Sequence, residues 1–181
     1  TKFTSLAAVN AVLPQQTRSP RHAVMIDYGT YCLEDLEDAL AYAPVMRVCF
    51  HKKDSVEALA FCERLIQKGY EVFVQPMVSP LYSDAEFMDL IWAINRIRPA
   101  ALYIVDSFGS MELCDFQRLL FLTDHNLSHD ILLGYHAHNN LQQAYGNAKY
   151  MAESKLSHDI ILDASVYGMG RGAGNLYTEM F

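Results

Sequence analysis

Short apolar segments alternate with amphipathic segments along most of the chain, and this alternation limits the possible folds more than any other feature. Comparable points in the six apolar segments lie 22 to 30 residues apart, at Val24, Met46, Val72, Leu102, Leu132 and Ile160. A repeat that joins a strand to a helix predicts right-handed βαβ units and a parallel sheet. The segments are apolar on both faces, as expected for strands covered on both sides. A doubly wound open sheet and a (β/α)8 barrel both satisfy this pattern.

The segment boundaries predict where the strands and helices lie. Strands are expected over residues 23–27, 45–50, 71–77, 101–105, 131–138 and 160–164. Helices are expected over 4–13, over 33–42, from 54 to a stop at 69, from 83 to a proline at 99, through 113–120 and over 141–155. Asp54 with Glu57, and Ser83 with Glu86, have the spacing of a capping box. Val56 is assigned to the buried face of the helix that begins at residue 54.

The composition narrows the range of functions. With 181 residues, of which 51% are apolar, the chain is expected to form a single domain over residues 1–181 with a sizeable core. A formal net charge of −7 without a basic run argues against nucleic-acid or anionic-membrane partners, and no apolar run could span a bilayer. Four scattered cysteines without a C-x-x-C pair, and an N-terminal segment without signal-peptide order, predict a reducing, cytoplasmic location.

Polar side chains stand at the C-terminal ends of five predicted strands, where both candidate folds carry their chemistry. They are His51, Gln75, Asp106 with Ser107, His136 with His138, and Asp163 with Ser165. Polar residues at the ends of five strands, all on one edge of the sheet, predict a functional site there. For Asp106 and Asp163, capping a helix or holding a loop fits equally well.

His136 and His138 suggest a metal site. Side chains two residues apart on a strand point to the same face, so both imidazoles would stand one pleat apart near the end of the strand. Two neutral imidazoles so placed can bind one divalent metal and leave other positions for water, carboxylate or substrate. The H-x-H spacing also occurs in hydrogen-bonded surface histidines, so the assignment depends on what the neighbouring strands supply.

A glycine-rich segment follows the last predicted strand. It contains Gly168, Gly170, Arg171, Gly172, Gly174 and Asn175. Alternating glycines permit close backbone approach, so exposed N–H groups could surround an anion or cover a ligand. A nucleotide-binding fingerprint is disfavoured because the segment follows the last strand of the chain and not the first. The preferred interpretation is a flexible, backbone-lined loop over the site.

Together these motifs resemble a known family. The chain contains, in order, the segments MRVCFH, VFVQPM, IVDSFGSM, GYHAHNN and ILDASVYGMGRGAGN. This set is similar to the metal-dependent aldolase and lyase barrels, which include 3-hydroxy-3-methylglutaryl-CoA lyase, the 2-isopropylmalate and homocitrate synthases, and 4-hydroxy-2-oxovalerate aldolase. The similarity is greatest to the 4-hydroxy-2-oxovalerate aldolase-like branch and covers nearly the whole chain.

The resemblance implies a (β/α)8 TIM barrel that binds Mn²⁺ or Mg²⁺ and a small-molecule 2-oxo acid. His136 and His138 match the family's two histidine ligands. Asn175 matches an asparagine that reaches the metal in the lyase branch, and Ser107 matches a serine that contacts the keto acid. The implied reaction cleaves a 4-hydroxy-2-oxo acid to pyruvate and an aldehyde while the metal stabilises the pyruvate enolate.

The chain departs from the family pattern in one motif. The family's first strand carries an Arg-Asp pair that polarises the substrate and supplies the third metal ligand, and no Arg-Asp pair occurs here. The six visible strands are therefore expected to be strands three to eight of the barrel. Exposed strand edges then predict a homo-oligomer. Candidates for the general base are His51, Tyr28, Tyr31 and Tyr167, although packing at the barrel mouth also fits each of them.

Two alternative functions stay open at this point. An acyl-CoA-dependent Claisen-type synthase, similar to the isopropylmalate and homocitrate synthases, would keep the barrel and the metal. A catalytically incomplete barrel fragment would instead have an interaction role.

Overall fold

Strands and helices alternate through the part of the chain that the computed structural model describes, which is residues 3, 5–12, 22–31 and 44–181. The strands are β1 (Ala23–Asp27), β2 (Val45–Phe50), β3 (Glu71–Pro76), β4 (Ala101–Asp106), β5 (Leu132–Ala137) and β6 (Ile160–Leu162). The helices are α1 (Leu6–Asn10), α2 (Ser55–Gln67), α3 (Asp84–Ile97), α4 (Leu113–Asn126) and α5 (Ala144–Glu153). The helix predicted over 33–42 lies outside the described residues.

The six strands form one parallel sheet whose order follows the chain, β1-β2-β3-β4-β5-β6. Each strand therefore pairs with its neighbour in sequence, and Val105 of β4 lies opposite His136 of β5. A doubly wound sheet reverses its strand order at a switch point, so the observed order excludes that alternative. In the described ranges, β1 and β6 do not pair with each other, and the sheet is open.

The sheet curls strongly. The side chain of Arg47, in β2, contacts the carboxylate of Asp163, which follows β6. Neighbouring strands lie about 4.8 Å apart, so β2 and β6 would be roughly 19 Å apart in a flat sheet. An arginine and an aspartate cannot span that distance, and only a curved sheet brings them together. The fold is therefore a partial (β/α) barrel, as the sequence predicted.

Apolar side chains cover both faces of the sheet. The larger cluster lies between the outer face and the helices and includes Val48, Val74, Ile104 and Leu133. On the inner face, Ala101, Tyr103 and Val105 pack against Phe73, Leu132 and Ile161. Gly134 leaves room for this packing, because a Cβ at that position would lie 2.5 Å from the Tyr103 ring.

Of the two predicted capping boxes, the structure contains one. The Ser83 hydroxyl accepts from the Glu86 N–H at 3.3 Å, and the Glu86 carboxylate accepts from the Ser83 N–H at 2.8 Å. The prediction for Asp54 was wrong, since its side chain makes no capping hydrogen bond. Asp54 ends a 3₁₀ turn with φ −101° and ψ 9°, whereas an N-cap side chain needs an extended backbone.

The burial of the helices corrects two further details. Val56 is 78% exposed, because the buried face of α2 is formed by Ala58, Leu59, Cys62 and Leu65. Helix α5 begins at Ala144 and not at 141, since Gln142 has a positive φ of 60° that interrupts a helix. Among the described residues, no helix is long and apolar enough to cross a membrane.

Candidate metal centre

The two histidines of the H-x-H motif lie on the same face at the C-terminal end of β5. Their ring centroids are 5.5 Å apart and the ring planes are nearly perpendicular, at 89°. The pairing of Asp106 with Ala137 places Ser107 beside His138 on the neighbouring strand. The structure thus brings His136, His138 and Ser107 to one edge of the barrel, as the sequence predicted for their positions.

The His136 ring contacts the carboxylate of Asp163. Its Nδ1 lies 2.9 Å from Asp163 Oδ2, and the Arg47 guanidinium contacts the same carboxylate oxygen. The hydroxyl of Tyr103 donates to the other oxygen, Oδ1, at 3.3 Å. Arg47 also contacts Gln75. When the amide oxygen of Gln75 is turned towards the guanidinium, it accepts from Nη2 at 2.5 Å and from Nε at 3.0 Å.

The pKa shifts of Asp163 and His138 favour an ionised carboxylate and a neutral imidazole, which are the forms that a metal site needs. Burial acts to raise the pKa of Asp163, but the hydrogen bond from His136 and the charge of Arg47 outweigh it and lower that pKa. Burial, together with the charge of His136, lowers the pKa of His138. The His138 imidazole is therefore neutral at pH 7, which a metal ligand requires. By contrast, burial raises the pKa of Cys49 to about 12, so its thiol stays protonated.

The glycine-rich segment folds against His138. The N–H of Asn139, the next residue, donates to the Gly174 carbonyl at 2.9 Å. His138 and Asn175 form an isolated antiparallel bridge. The segment therefore lies beside the histidines, in the place that the sequence predicted for a loop over the site.

Two glycines of this segment make close contacts that a side chain would block. A Cβ at Gly170 would lie 2.6 to 2.9 Å from the Asn175 side-chain amide, and Gly174, with a φ of +86°, packs its α-carbon against the Gly168 carbonyl. Gly172 has a φ of +65° and open space around it. The close approach at Gly170 explains why that position carries no side chain.

The side-chain oxygen of Asn175 accepts no hydrogen bond from the described residues. Its Nδ2 donates to the Met169 carbonyl at 3.2 Å. Its Oδ1 is buried and has no hydrogen-bond partner among the residues that the structure describes. A buried acceptor without a partner costs stability, and a cation would supply the missing contact. The donor set of Asn175 Oδ1 with two imidazoles fits a divalent metal.

Ser107 and Asp106 have different roles in the loop after β4. The Ser107 hydroxyl oxygen accepts from the Val78 N–H at 3.0 Å. Val78 has a left-handed backbone, with φ 54°, which is unusual for a β-branched residue. The two carboxylate oxygens of Asp106 accept from the N–H groups of Ser110 and Met111, each at 3.0 Å. Asp106 therefore holds the loop, which was one of its two predicted roles.

The candidate general bases are occupied elsewhere or face solvent. Tyr28 packs its ring against Phe61 of α2 at 5.9 Å, and the Tyr31 hydroxyl donates to the Phe3 carbonyl. Tyr167 is 75% exposed, and His51 is exposed. Within the described ranges, no group of three or more His, Cys, Asp or Glu residues could hold a metal. The carboxylate ligand missing from the sequence is missing from this part of the structure as well.

The sequence reasoning missed Arg47 and Tyr103. Both face the barrel interior, where Arg47 also lies 5.3 Å from the centre of the Tyr103 ring. The available signal was a charged residue inside the apolar run VMRVCF, because a charge buried on both sides of a sheet needs a partner.

Comparisons with known proteins agree with this geometry. Oxaloacetate decarboxylase of Mycobacterium tuberculosis is 28% identical over 166 residues, which are 90% of this chain and 47% of that protein. 4-Hydroxy-2-oxovalerate aldolase of Carboxydothermus hydrogenoformans is 28% identical over 176 residues, which are 97% of this chain and 50% of that protein. The chain thus spans about half the length of the curated relatives it matches.

The fold is shared with a solved lyase. Hydroxymethylglutaryl-CoA lyase from Pseudomonas aeruginosa superimposes with a TM-score of 0.69 at 17% identity, over 96% of this chain and 64% of that one. The family's aldolases and lyases generally depend on a divalent metal. The resemblance drawn from the motifs is confirmed by a family model that matches residues 45–181, and the chain belongs to the HMGL-like family.

Proposed function

We propose that this chain carries part of the active site of a metal-dependent carbon–carbon lyase that cleaves a 4-hydroxy-2-oxo acid to pyruvate and an aldehyde. The observation that carries the proposal is that His136, His138 and Asn175 lie together at the C-terminal end of the barrel, and that the buried Oδ1 of Asn175 has no hydrogen-bond partner among the described residues. That end is where barrel enzymes of this architecture perform their chemistry. The relatives named as 4-hydroxy-2-oxovalerate aldolases support the substrate class.

Each residue has a defined task in this proposal. His136 and His138 hold Mn²⁺ or Mg²⁺ through neutral imidazole nitrogens, and Asn175 adds its amide oxygen. When bound, the metal supplies a Lewis acid that stabilises negative charge on the keto oxygen as the bond between C3 and C4 breaks. A carboxylate from outside the described residues completes the ligand set.

Ser107 positions the 2-oxo acid. Because the Val78 N–H already donates to its oxygen, the Ser107 hydroxyl keeps its own proton available for donation. A carboxylate or keto oxygen of the substrate is the natural acceptor at this edge of the barrel. The segment from Gly168 to Gly174, including Gly170, Arg171 and Gly172, covers the substrate with backbone and excludes water.

Metal content and product formation test the proposal together. After loading with Mn²⁺ and removal of free metal, His136→Ala and His138→Ala are each expected to lose the bound ion. His125→Ala is the matched control, because His125 is an exposed histidine of α4. Pyruvate release from a 4-hydroxy-2-oxo acid should require Mn²⁺ and stop on addition of chelator. Unchanged metal content in both site variants would contradict the assignment.

A second candidate is decarboxylation of a 2-oxo dicarboxylic acid. In the described ranges, the Tyr28 ring packs on Phe61 and the Tyr31 hydroxyl donates to the Phe3 carbonyl, so neither of these two candidates is a free general base. Aldol cleavage needs a base to take the 4-hydroxyl proton, whereas loss of CO₂ from a 3-carboxyl group needs none. The relative named oxaloacetate decarboxylase supports this alternative. Release of CO₂ and pyruvate from oxaloacetate, without activity on 4-hydroxy-2-oxo acids, would favour it.

The remaining expectations from the sequence can be decided in the same assays. Free CoA formed from acetyl-CoA and a 2-oxo acid would indicate a Claisen-type synthase. Absence of all activities and of bound metal would favour an interaction role. In the described part of the chain, one edge of β1 has no partner strand, which supports the proposal of a homo-oligomer. Light scattering during size-exclusion chromatography measures its mass.

A further inference from the structure

Asp163 lies next to His136, the first histidine of the motif. The pairing of Tyr135 with Leu162 puts Asp163 beside His136 on the next strand. The distance from His136 Nδ1 to Asp163 Oδ2 is 2.9 Å, and the two side chains are only 18% and 15% exposed. This contact is therefore partly buried and well shielded from competing water.

The chemistry of the two groups decides where the proton lies. An ionised carboxylate can only accept hydrogen bonds, so the Nδ1 of His136 must carry the proton that joins them. In a neutral imidazole the other nitrogen, Nε2, then holds the lone pair. That lone pair lies on the side of the ring that faces away from Asp163.

Asp163 is also contacted by a residue from the opposite side of the barrel. Arg47, four strands away in the sheet, contacts the same carboxylate oxygen. The guanidinium cannot easily rotate, because it also stacks on the Tyr103 ring at 5.3 Å and meets the Gln75 amide. Tyr103 contacts only the second carboxylate oxygen, at 3.3 Å. Asp163 is therefore oriented by contacts on both oxygens.

We propose that Asp163 is a positioning residue of this site, which holds His136 in its Nδ1–H form and aims Nε2 at the metal position, with Arg47 keeping Asp163 in place. The inference rests on the proposed function for the identity of what Nε2 meets. The alternative is that Arg47 and Asp163 form an ion pair that only stabilises the barrel and does not determine the tautomer of His136.

The tautomer can be measured without metal. Long-range ¹H–¹⁵N NMR of the metal-free full chain distinguishes the Nδ1–H and Nε2–H forms, and His136→Ala identifies the signals. The wild-type chain should show Nδ1–H. In Asp163→Ala nothing replaces the acceptor that faces Nδ1, so the Nδ1–H form should lose its preference and Nε2–H should appear. Tyr103→Phe, which leaves Oδ2 untouched, should keep the wild-type tautomer.

Metal affinity supplies the second readout. Loss of such an outer contact to a histidine ligand is expected to weaken Mn²⁺ binding by about 10- to 100-fold, and Tyr103→Phe should bind as the wild type does. A wild-type spectrum with Nε2–H would overturn the inference even if Asp163→Ala did not fold. An unchanged tautomer and unchanged affinity in Asp163→Ala would overturn it too. A wild type with Nδ1–H that binds no Mn²⁺ would contradict the proposed function but uphold the role of Asp163 in orienting His136.

Discussion

Replacing Gly170 by alanine offers a sharp test of Asn175 as a metal ligand. The new Cβ would lie 2.6 Å from Asn175 Nδ2, 2.7 Å from Cγ and 2.9 Å from Oδ1. Ordinary contacts begin at 3.4 Å, so the amide has to retreat by roughly 0.8 Å, the difference between 3.4 and 2.6 Å. Since Gly170 does not have a left-handed φ, this displacement is the main consequence of the substitution.

The displacement affects metal binding more than folding. The hydrogen bond from Asn175 Nδ2 to the Met169 carbonyl, now 3.2 Å long, would be lost at a cost of about 0.5–1.5 kcal/mol in the free energy of unfolding. Metal–ligand distances tolerate shifts of only about 0.2 Å, so Oδ1 would leave the coordination sphere. We expect Mn²⁺ affinity to fall about 10- to 100-fold, equivalent to about 1.4–2.8 kcal/mol.

Titration of the full chain with Mn²⁺, followed by electron paramagnetic resonance of the free ion, measures this loss. Gly172→Ala is the matched control, because Gly172 has nothing within 4 Å but a φ of +65°. Alanine there should cost about 1–2 kcal/mol of stability through backbone strain and leave Asn175 in place. Wild-type affinity in Gly170→Ala, or an equal loss in both variants, would refute the reasoning.

Three further predictions concern stability. Gly134→Ala would put a Cβ 2.5 Å from the Tyr103 ring, and denaturant unfolding should show a loss of about 1–3 kcal/mol. Gly146→Ala, in α5 with nothing within 4 Å, should instead raise the free energy of unfolding by about 0.5–1 kcal/mol; a loss would contradict the assigned helix. The hydrogen bond from Lys52 is the main cause that lowers the pKa of Glu86 from 4.5 to about 2. Because the folded-state pKa lies below the unfolded one, ionised Glu86 stabilises the fold above pH 4.5, and this contribution disappears as the pH falls through about 2. The difference in Tm between wild type and Glu86→Gln should follow that course, and a difference that persists at pH 2 would argue against it.

The inner strands of the sheet were predictable from sequence because, like β2 and β4, they are largely buried on both sides. A short, largely apolar run such as the one at Val45–Phe50 fits a covered strand, and its bounds match the prediction. Helix ends were less predictable. The Asp54 capping box failed because a 3₁₀ turn sets the local backbone, and a spacing rule carries no information about φ and ψ.

The site was predictable in position but not in its contacts. Alternation along β5 put His136 and His138 on one face, and strand order put Ser107 beside them. The contact between Arg47 and Asp163 joins residues 116 positions apart, and no local pattern indicates which strand lies across a barrel. The missing partner of Asn175 Oδ1 is likewise visible only after the glycine-rich segment has been folded against His138.

The strand order also dictates when the site can form during folding. Each strand pairs with its chain neighbour, so the βα units can dock one after another as the chain emerges from the ribosome, with little loop entropy lost at each step. Arg47 meets Asp163 only after the whole arc from β2 to β6 has closed. The contact of Asp163 with His136 is therefore among the last tertiary contacts to become fixed. A chain arrested before residue 163 would have a sheet but no oriented imidazole.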